Sequence, residues 1–371
     1  MKFSSAVGIA FDAQTAHFVG TPTVAGDYQI HFLYRDQNQW RSGQCTFIIN
    51  ADPRSLWQVN EPSADEPYHK AHTAQHMICN DDFKLIAASR RGRSHEHAGT
   101  FRDDDFFIGQ VTDSPWSVLV VADGAGSAQF SRQGSKIAAD CVGQLLIDYI
   151  QQNQNTIDEN LAQWQTASGD DNSKTTTQSA LYKDFHDIFY KVVQISIQRI
   201  ETEAQAQNVP AKAFATTLLA AVVKQQDQQT FISTIWIGDG AIVVYSADQL
   251  SLMGTPDSGE FAGQTRFLDQ SILSNFSERV NMGYFDDIAA VILMTDGISD
   301  PKFETDAGLK NQQKWDALWQ ELQNPLAEEQ PDSALLEWMH FFSSGHHDDR
   351  TLALFVPQAP DLTSTQGLNH E

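Results

Sequence analysis

An α+β architecture with a small β appendage at its N-terminus is the expectation for this chain of 371 residues. From residue 85 onward, short apolar runs of strand length alternate with longer stretches of helical periodicity. The first fifty residues carry strand and turn signals only.

In the appendage, "TAHFVGTPTVAGDYQIHFLYRD" offers a Gly-Thr-Pro turn, a Gly-Asp turn and near-alternating apolar residues, and "QCTFIIN" closes it as a further strand. We assign it residues 1–52. Residues 53–84 hold three prolines and mixed charge and read as an ordered linker. The main domain is expected over 85–357. Its strands are expected at 106–111, 116–122, 216–223, 230–237, 241–245, 289–294 and 351–356. Helices are expected over 132–150, where Ile137, Ala138, Cys141, Val142, Leu145, Leu146 and Tyr149 recur at helical spacing, and over about 181–207. The Gln/Asn/Thr-rich stretch between them, about 151–180, reads as a polar loop insertion with a marginal helix. The polar tail 358–371 is expected to be disordered.

Composition narrows the partners. Lys and Arg number 24 against 48 Asp and Glu, a net charge of −24. Nucleic acids and anionic membranes recruit basic surfaces, so neither is expected. Cys45, Cys79 and Cys141 lie far apart with no CxxC spacing, which argues against a zinc knuckle or a disulfide framework. The apolar run 6–11 is too short for a signal peptide and no run reaches membrane-spanning length, so the expected location is the cytoplasm.

The position of the acids carries the chemistry. Asp123 follows VLVVA, Asp239 follows STIWIG and Asp296 follows VILMT. Asp348 stands three residues before TLALFV, and Asp104 two before FFIGQV. Charges just outside buried strands gather at sheet ends, where a cleft can form. Gathered carboxylates repel one another unless divalent cations neutralise them. Asp123, Asp239 and Asp296 are each followed by Gly, which lets a backbone carbonyl approach a ligand.

The series "FRDDDFF", "VVADGAGSAQFSRQGSKIAA", "FATTLLAAVV", "IWIGDGAIVVYS", "ILMTDGISD" and "HDDRTLALF" resembles the metal-dependent protein phosphatases, the type 2C serine/threonine phosphatases. It is most similar to a bacterial branch with "ADGAGS", "IGDG" and "GxSH" elements. The resemblance covers about 86–356 and implies an α-β-β-α sandwich of two antiparallel sheets flanked by helices. It implies hydrolysis of phosphoserine and phosphothreonine in proteins by a water activated between two Mn²⁺ or Mg²⁺ ions, with no phosphoenzyme. Asp123, Asp296 and Asp348 would be the catalytic metal ligands, joined by Asp104 and the Gly124 carbonyl. Asp103 and Asp349 would act through water or from behind the ligands. Gly99 stands where many relatives place a phosphate-gripping Arg, which leaves Ser94, His95, Arg93 and Arg102 as candidates for that grip. Lys212 and Ala213 occupy the stretch where bacterial relatives carry a third-metal Asp, so a third metal is not expected and Asp239 reads as a turn residue. A catalytically weak binding module and a small-phosphoester hydrolase are the alternatives.

Residues 5–52 in turn resemble an immunoglobulin-like repeat whose signature is G-TPT-x-x-G-x-Y. That resemblance implies a surface for a protein partner.

Overall fold

The computed structural model describes residues 7–52, 57–166, 171–226, 229–257 and 265–358, with the side chains of 166 and 171–176 excepted. The tail expected to be disordered lies, from residue 359, outside the described residues. The chain divides into two compact units, 1–59 and 60–371.

The first unit holds two hairpins. β1 (Ile9–Asp12) pairs with β2 (His17–Gly20), and β3 (Gly26–Asp36) pairs with β4 (Gln39–Ile49). The second hairpin closes through Gln37 and Asn38, both at positive φ, the two-residue turn whose twist matches its strands. Among the described residues each hairpin forms its own two-stranded sheet, fewer strands than an immunoglobulin sandwich uses.

The second unit is built on two antiparallel sheets. The segment expected to be linker supplies one strand, β5 (Thr73–Cys79), which forms the edge of a sheet beside β6 (Phe83–Arg90). A short helix, α1 (Arg93–Ala98), leads to β7 (Asp105–Gln110) and β8 (Trp116–Ala122). Two long helices follow, α2 (Ser131–Thr166) and α3 (Asp171–Ala206). Then come β9 (Leu218–Gln226), β10 (Gln229–Ile237), β11 (Ala241–Tyr245), β12 (Leu250–Leu252), β13 (Val280–Asp286) and β14 (Ala290–Met294). Four helices, α4 (Asp296–Phe303), α5 (Asp306–Leu309), α6 (Gln312–Leu326) and α7 (Pro331–Trp338), precede β15 (Arg350–Pro357).

One sheet has the order β13-β10-β9-β8-β7 and the other β12-β11-β14-β15-β6-β5. They pack face to face, with α2 and α3 outside the first and α6 and α7 outside the second, the α-β-β-α sandwich the sequence led us to expect. β8 shows why the central strands read as continuous apolar runs. Leu119 and Val121 face the other sheet while Val118, Val120 and Ala122 face the helices, and all are 0% exposed. Each of these valines and the leucine contributes about 1.5–3 kcal/mol by leaving water.

The polar insertion is not a loop. α2 runs through Thr166 and α3 begins at Asp171, with 167–170 outside the described residues. A thin stripe suffices to hold the helices: Ile157, Leu161 and Trp164 are buried, and Trp164 packs on Phe231 and Tyr284. Asp158 accepts from Trp116 Nε1 at 3.0 Å and from Lys224 Nζ at 2.8 Å, which fastens the extension to the sheet. Asn160 of α2 donates to Asp184 of α3 at 3.4 Å, a polar contact between the two helices. Strand-and-helix counting undervalued this region because its polar residues occupy the remaining faces.

Among the described residues no helix is long and apolar enough to cross a membrane.

Candidate metal centre

Strand register brings the acids together. Asp105 pairs with Ala122, so Asp104 and Asp123, one residue beyond, leave the first sheet side by side. Ala241 pairs with Met294, and the same register continued two residues sets Asp239 across from Asp296. Met294 also pairs with Leu352, which carries Asp348 and Asp349 to the other flank of Asp296. The chain passes from one sheet to the other at Gly238-Asp239-Gly240. Gly238 has φ +121°, and a Cβ there would meet Thr217 at 2.6 Å. The ends of both sheets therefore open onto one acidic cleft.

Asp123, Asp239 and Asp296 offer ligand oxygens within 4.8 Å of one another, and His95, Asp348 and Asp349 form a second such group. Asp239, read from the sequence as a turn residue, thus stands among the acids. Asp123 is fixed through its backbone. Its N–H donates to Thr217 Oγ1 at 2.9 Å, and its carbonyl accepts from Thr217 N and Thr216 Oγ1, each at 2.8 Å. A Cβ on Gly124 would approach the Asp103 carbonyl at 2.7 Å, so only glycine fits there.

Asp104 is buried and its Oδ2 accepts from Thr295 Oγ1 at 2.8 Å and Thr351 Oγ1 at 2.7 Å. Asp349 serves as a backbone clamp. It accepts from Gly92 N at 2.6 Å and from the backbone amides of Asp103 and Asp104, tying the α1 entry to the loop before β7. The Asp103 carbonyl in turn accepts from Ser135 Oγ.

The electrostatics are those of crowded acids. Burial, then the charge of Asp296 and of Asp104, raise Asp123 well above the usual carboxylate range. Burial and Asp349 do the same to Asp104. Asp296 is pushed up to about 7, chiefly by burial and against its hydrogen bond with Asp123, with Asp348 and Asp239 adding to the rise. Asp103 rises to about 6 through burial and Asp349. Asp348 differs. Burial opposes its charge, but the hydrogen bond and positive charge of His95, with Nε2 3.3 Å away, hold it below the ordinary range. Burial likewise opposes charge on His95, yet Asp349, Asp348 and Asp103 outweigh it and lift the imidazole to about 10.

These residues fit a hard divalent cation. The donors are carboxylates and a carbonyl, which suit Mg²⁺ or Mn²⁺ better than zinc. Asp296 Oδ1 is buried with no hydrogen-bond partner, which a buried anionic oxygen does not tolerate without a counter-charge.

Of the four candidates for a phosphate grip, Arg102 is excluded. Its side chain is buried and donates to the Asp104 carbonyl at 2.5 Å, Ser89 Oγ at 2.6 Å and the Ala71 carbonyl at 3.2 Å. Arg93 is engaged by Glu96 at 2.6 Å and His340 Nε2 at 2.7 Å. Ser94 lines a cleft of about 350 Å³ with Asp296, Gly297, Asp300, Gly345, His346, His347 and Asp348, but its hydroxyl donates to the His347 carbonyl at 2.8 Å. His95 is the candidate that touches the acids directly.

Sequence reasoning missed the residues behind the acids. Lys70 is buried 2.9 Å from Asp105 and donates to the Arg132 carbonyl and Ser135 Oγ. Burial brings its amine down to about 8. No local pattern announces it, since it pairs with a residue thirty-five positions away.

A sequence model of the protein phosphatase 2C family matches residues 91–340. Serine/threonine-protein phosphatase 3 of Escherichia coli (strain K12) is 27% identical over 220 residues, covering 58% of this chain and 74% of that protein. Among solved structures, RsbX in complex with magnesium aligns over 77% of this chain and 100% of its own, with 14% identity and a TM-score of 0.41. The catalytic domain of PstP in complex with two manganese ions aligns over 75% and 99%, with 14% identity and a TM-score of 0.39. With two thirds of its length matched by the family model, the chain belongs to the protein phosphatase 2C family.

Proposed function

We propose that the cleft hydrolyses phosphoserine and phosphothreonine monoesters in proteins with two Mn²⁺ or Mg²⁺ ions, held by Asp123, Asp296, Asp348, Asp104 and the Gly124 carbonyl. The observation that carries the site assignment is the unpartnered, buried Asp296 Oδ1 among convergent carboxylates, in a chain of this family. Bound there, the ions would supply a water acidic enough to deprotonate near neutral pH and would offset charge on the phosphoryl oxygens.

The chain's own residues do the positioning. Asp123 stands at the end of the first sheet with Asp296 of the second within reach, so the two would hold a cation together. Asp348 stays ionised because His95 pairs with it. Asp349 fixes the Asp103–Asp104 backbone, so these acids meet the cleft at a constant depth. His95, cationic and against Asp348, is our choice for contact with a phosphoryl oxygen. Asp348 and Asp300 are exposed along the cleft, which suits a phosphorylated side chain on a protein better than an engulfed metabolite.

The N-terminal unit is our proposed place of partner contact, since Leu33, Trp40 and Ile48 are 69%, 69% and 61% exposed. We place the protein in the cytoplasm, because exposed free thiols at Cys45 and Cys79 suit a reducing compartment.

The test offers p-nitrophenyl phosphate, phosphothreonine peptides and a panel of phosphorylated metabolites, each with Mn²⁺ and with EDTA. We expect Mn²⁺-dependent turnover that prefers the peptides and is lost in Asp123→Asn. Turnover indifferent to Mn²⁺, or unchanged in Asp123→Asn, sinks the mechanism. Preference for metabolites overturns the substrate class.

A further inference from the structure

Asp239 sits where the chain crosses from one sheet to the other, and its surroundings are more elaborate than a turn requires. Its carboxylate lies within 4.8 Å of those of Asp123 and Asp296. Three carboxylates at that range cannot all ionise without mutual repulsion. A turn aspartate would swing away to solvent. Here Thr265 Oγ1 donates to Asp239 Oδ2 at 2.5 Å and holds the side chain in place.

The backbone that carries it is clamped as well. Asp257 accepts from Gly238 N at 3.1 Å, and its own N–H donates to the Gly238 carbonyl at 2.8 Å. Arg279 then grips Asp257 with both terminal nitrogens, at 2.5 and 3.1 Å, and also donates to the Trp236 carbonyl at 3.1 Å. These groups together fix the turn beside Asp239 and the rotamer at its tip. Hydrogen-bonded support of this kind is what orients a metal-ligating carboxylate. Within the same trio the Asp296 Oδ1 atom is shut off from solvent and has no hydrogen-bond partner, a place a cation would fill.

We propose that Asp239 is a direct ligand of a divalent cation shared with Asp123 and Asp296, and that Thr265 and the Asp257–Arg279 pair are positioning residues that aim it. The inference rests on the metal-dependent reading above and adds a ligand to it. It gives the cleft an acid from the sheet crossover, in a chain that carries Lys212 and Ala213, not an acid, just before β9.

The experiment is a titration of the full, metal-stripped chain with Mn²⁺ alone, followed by calorimetry and by the electron paramagnetic signal of free Mn²⁺. Wild type is compared with Asp239→Asn, Thr265→Val and Asp300→Asn. Asp300 lines the cleft but lies outside the trio, so its variant removes an equal charge without removing a proposed ligand. We expect Asp239→Asn to lose one Mn²⁺ from the stoichiometry or to weaken binding by about 10–100-fold. Thr265→Val keeps every charge and is expected to weaken it by roughly 3–10-fold, at the lower edge of such supporting effects. Asp300→Asn should change it by less than about threefold, as a screened exposed charge.

Wild-type stoichiometry and affinity in Asp239→Asn overturn the proposal, and so does an equal loss in Asp239→Asn and Asp300→Asn, which is a through-space effect of charge. Metal-free unfolding curves show whether Asp239→Asn folds. If it does not, Thr265→Val decides, and wild-type binding in that variant refutes the assignment. A wild-type chain that binds no Mn²⁺ defeats the metal-dependent reading itself. Wild-type turnover with unaltered Asp239→Asn binding defeats only the new ligand.

Discussion

Replacing Asp296 by Asn should stabilise the metal-free protein at pH 8 and abolish most of its stabilisation by Mn²⁺. Burial is the largest influence on this carboxyl. With Asp348, Asp239 and Asp300 it outweighs the hydrogen bond with Asp123, and the group rises from 3.8 to about 7. Folded protein therefore keeps a proton that the unfolded chain releases between about pH 4 and 7. The sign follows: as pH rises through that window the metal-free fold loses stability, and above pH 7 it carries the whole penalty. At 1.36 kcal/mol per pH unit the penalty is roughly 4 kcal/mol. Asn never ionises, so the variant should escape a large part of that cost at pH 8 and gain nothing near pH 4. Urea unfolding at pH 5 and pH 8, with EDTA and with Mn²⁺, measures all four corners. Wild type should gain from Mn²⁺ mainly at pH 8, because cation and proton compete for the same carboxylates. A variant less stable than wild type at pH 8 in EDTA, together with equal gains from Mn²⁺ in both proteins, would refute the electrostatic account of the cleft.

Further expectations concern the frame around the acids. Mn²⁺ affinity of the wild type should rise from pH 5.5 to pH 8, with proton release detectable by calorimetry in buffers of different ionisation enthalpy, since Asp123, Asp104 and Asp296 are all raised. Gly124→Ala places a Cβ 2.7 Å from the Asp103 carbonyl and 2.9 Å from Ser131, so it should cost about 1–3 kcal/mol in thermal unfolding and depress Mn²⁺-dependent turnover. Arg102→Met should lower stability by about 3–5 kcal/mol, because it strips donors from the Asp104 carbonyl and Ser89, while the KM of surviving protein for p-nitrophenyl phosphate stays unchanged; a raised KM with unchanged stability would restore Arg102 to the phosphate. A chain beginning at Asn60, the start of the second compact unit, should keep turnover on p-nitrophenyl phosphate, and its failure to fold would make the hairpins part of the phosphatase core.

What the sequence disclosed and what it hid divide along a physical line. Strands β8 to β11, β14 and β15 were legible because both faces of the sandwich are covered, which leaves long apolar runs with abrupt ends. The acids were legible for the same reason: a charge directly after such a run has only the sheet end to occupy. The exposed edge strand β5 was not legible, since its alternation mixes Gln75 and His76 with Met77 and Ile78. Nor were the outer halves of α2 and α3, whose buried stripe is one residue wide in places.

The four phosphate candidates show the limit most sharply. Arg102 and Arg93 are alike in sequence, two arginines flanking a histidine-rich stretch, yet one is sealed beneath the acids and the other lies partly exposed against Glu96. Charge alone does not say whether a guanidinium will face the substrate or brace the carbonyl behind it. Asp239 makes the complementary point. By local sequence it is one Asp-Gly turn among three, and only the pairing of β11 with β14 sets it across from Asp296. Its meaning is a property of register, which a single strand cannot display. The cleft is thus best understood as two sheet ends whose acids were each predictable and whose mutual distances were not. Those distances, set by β7–β8, β11–β14 and β14–β15 pairing, turn acids at the ends of strands into a site that holds together best with a cation in it.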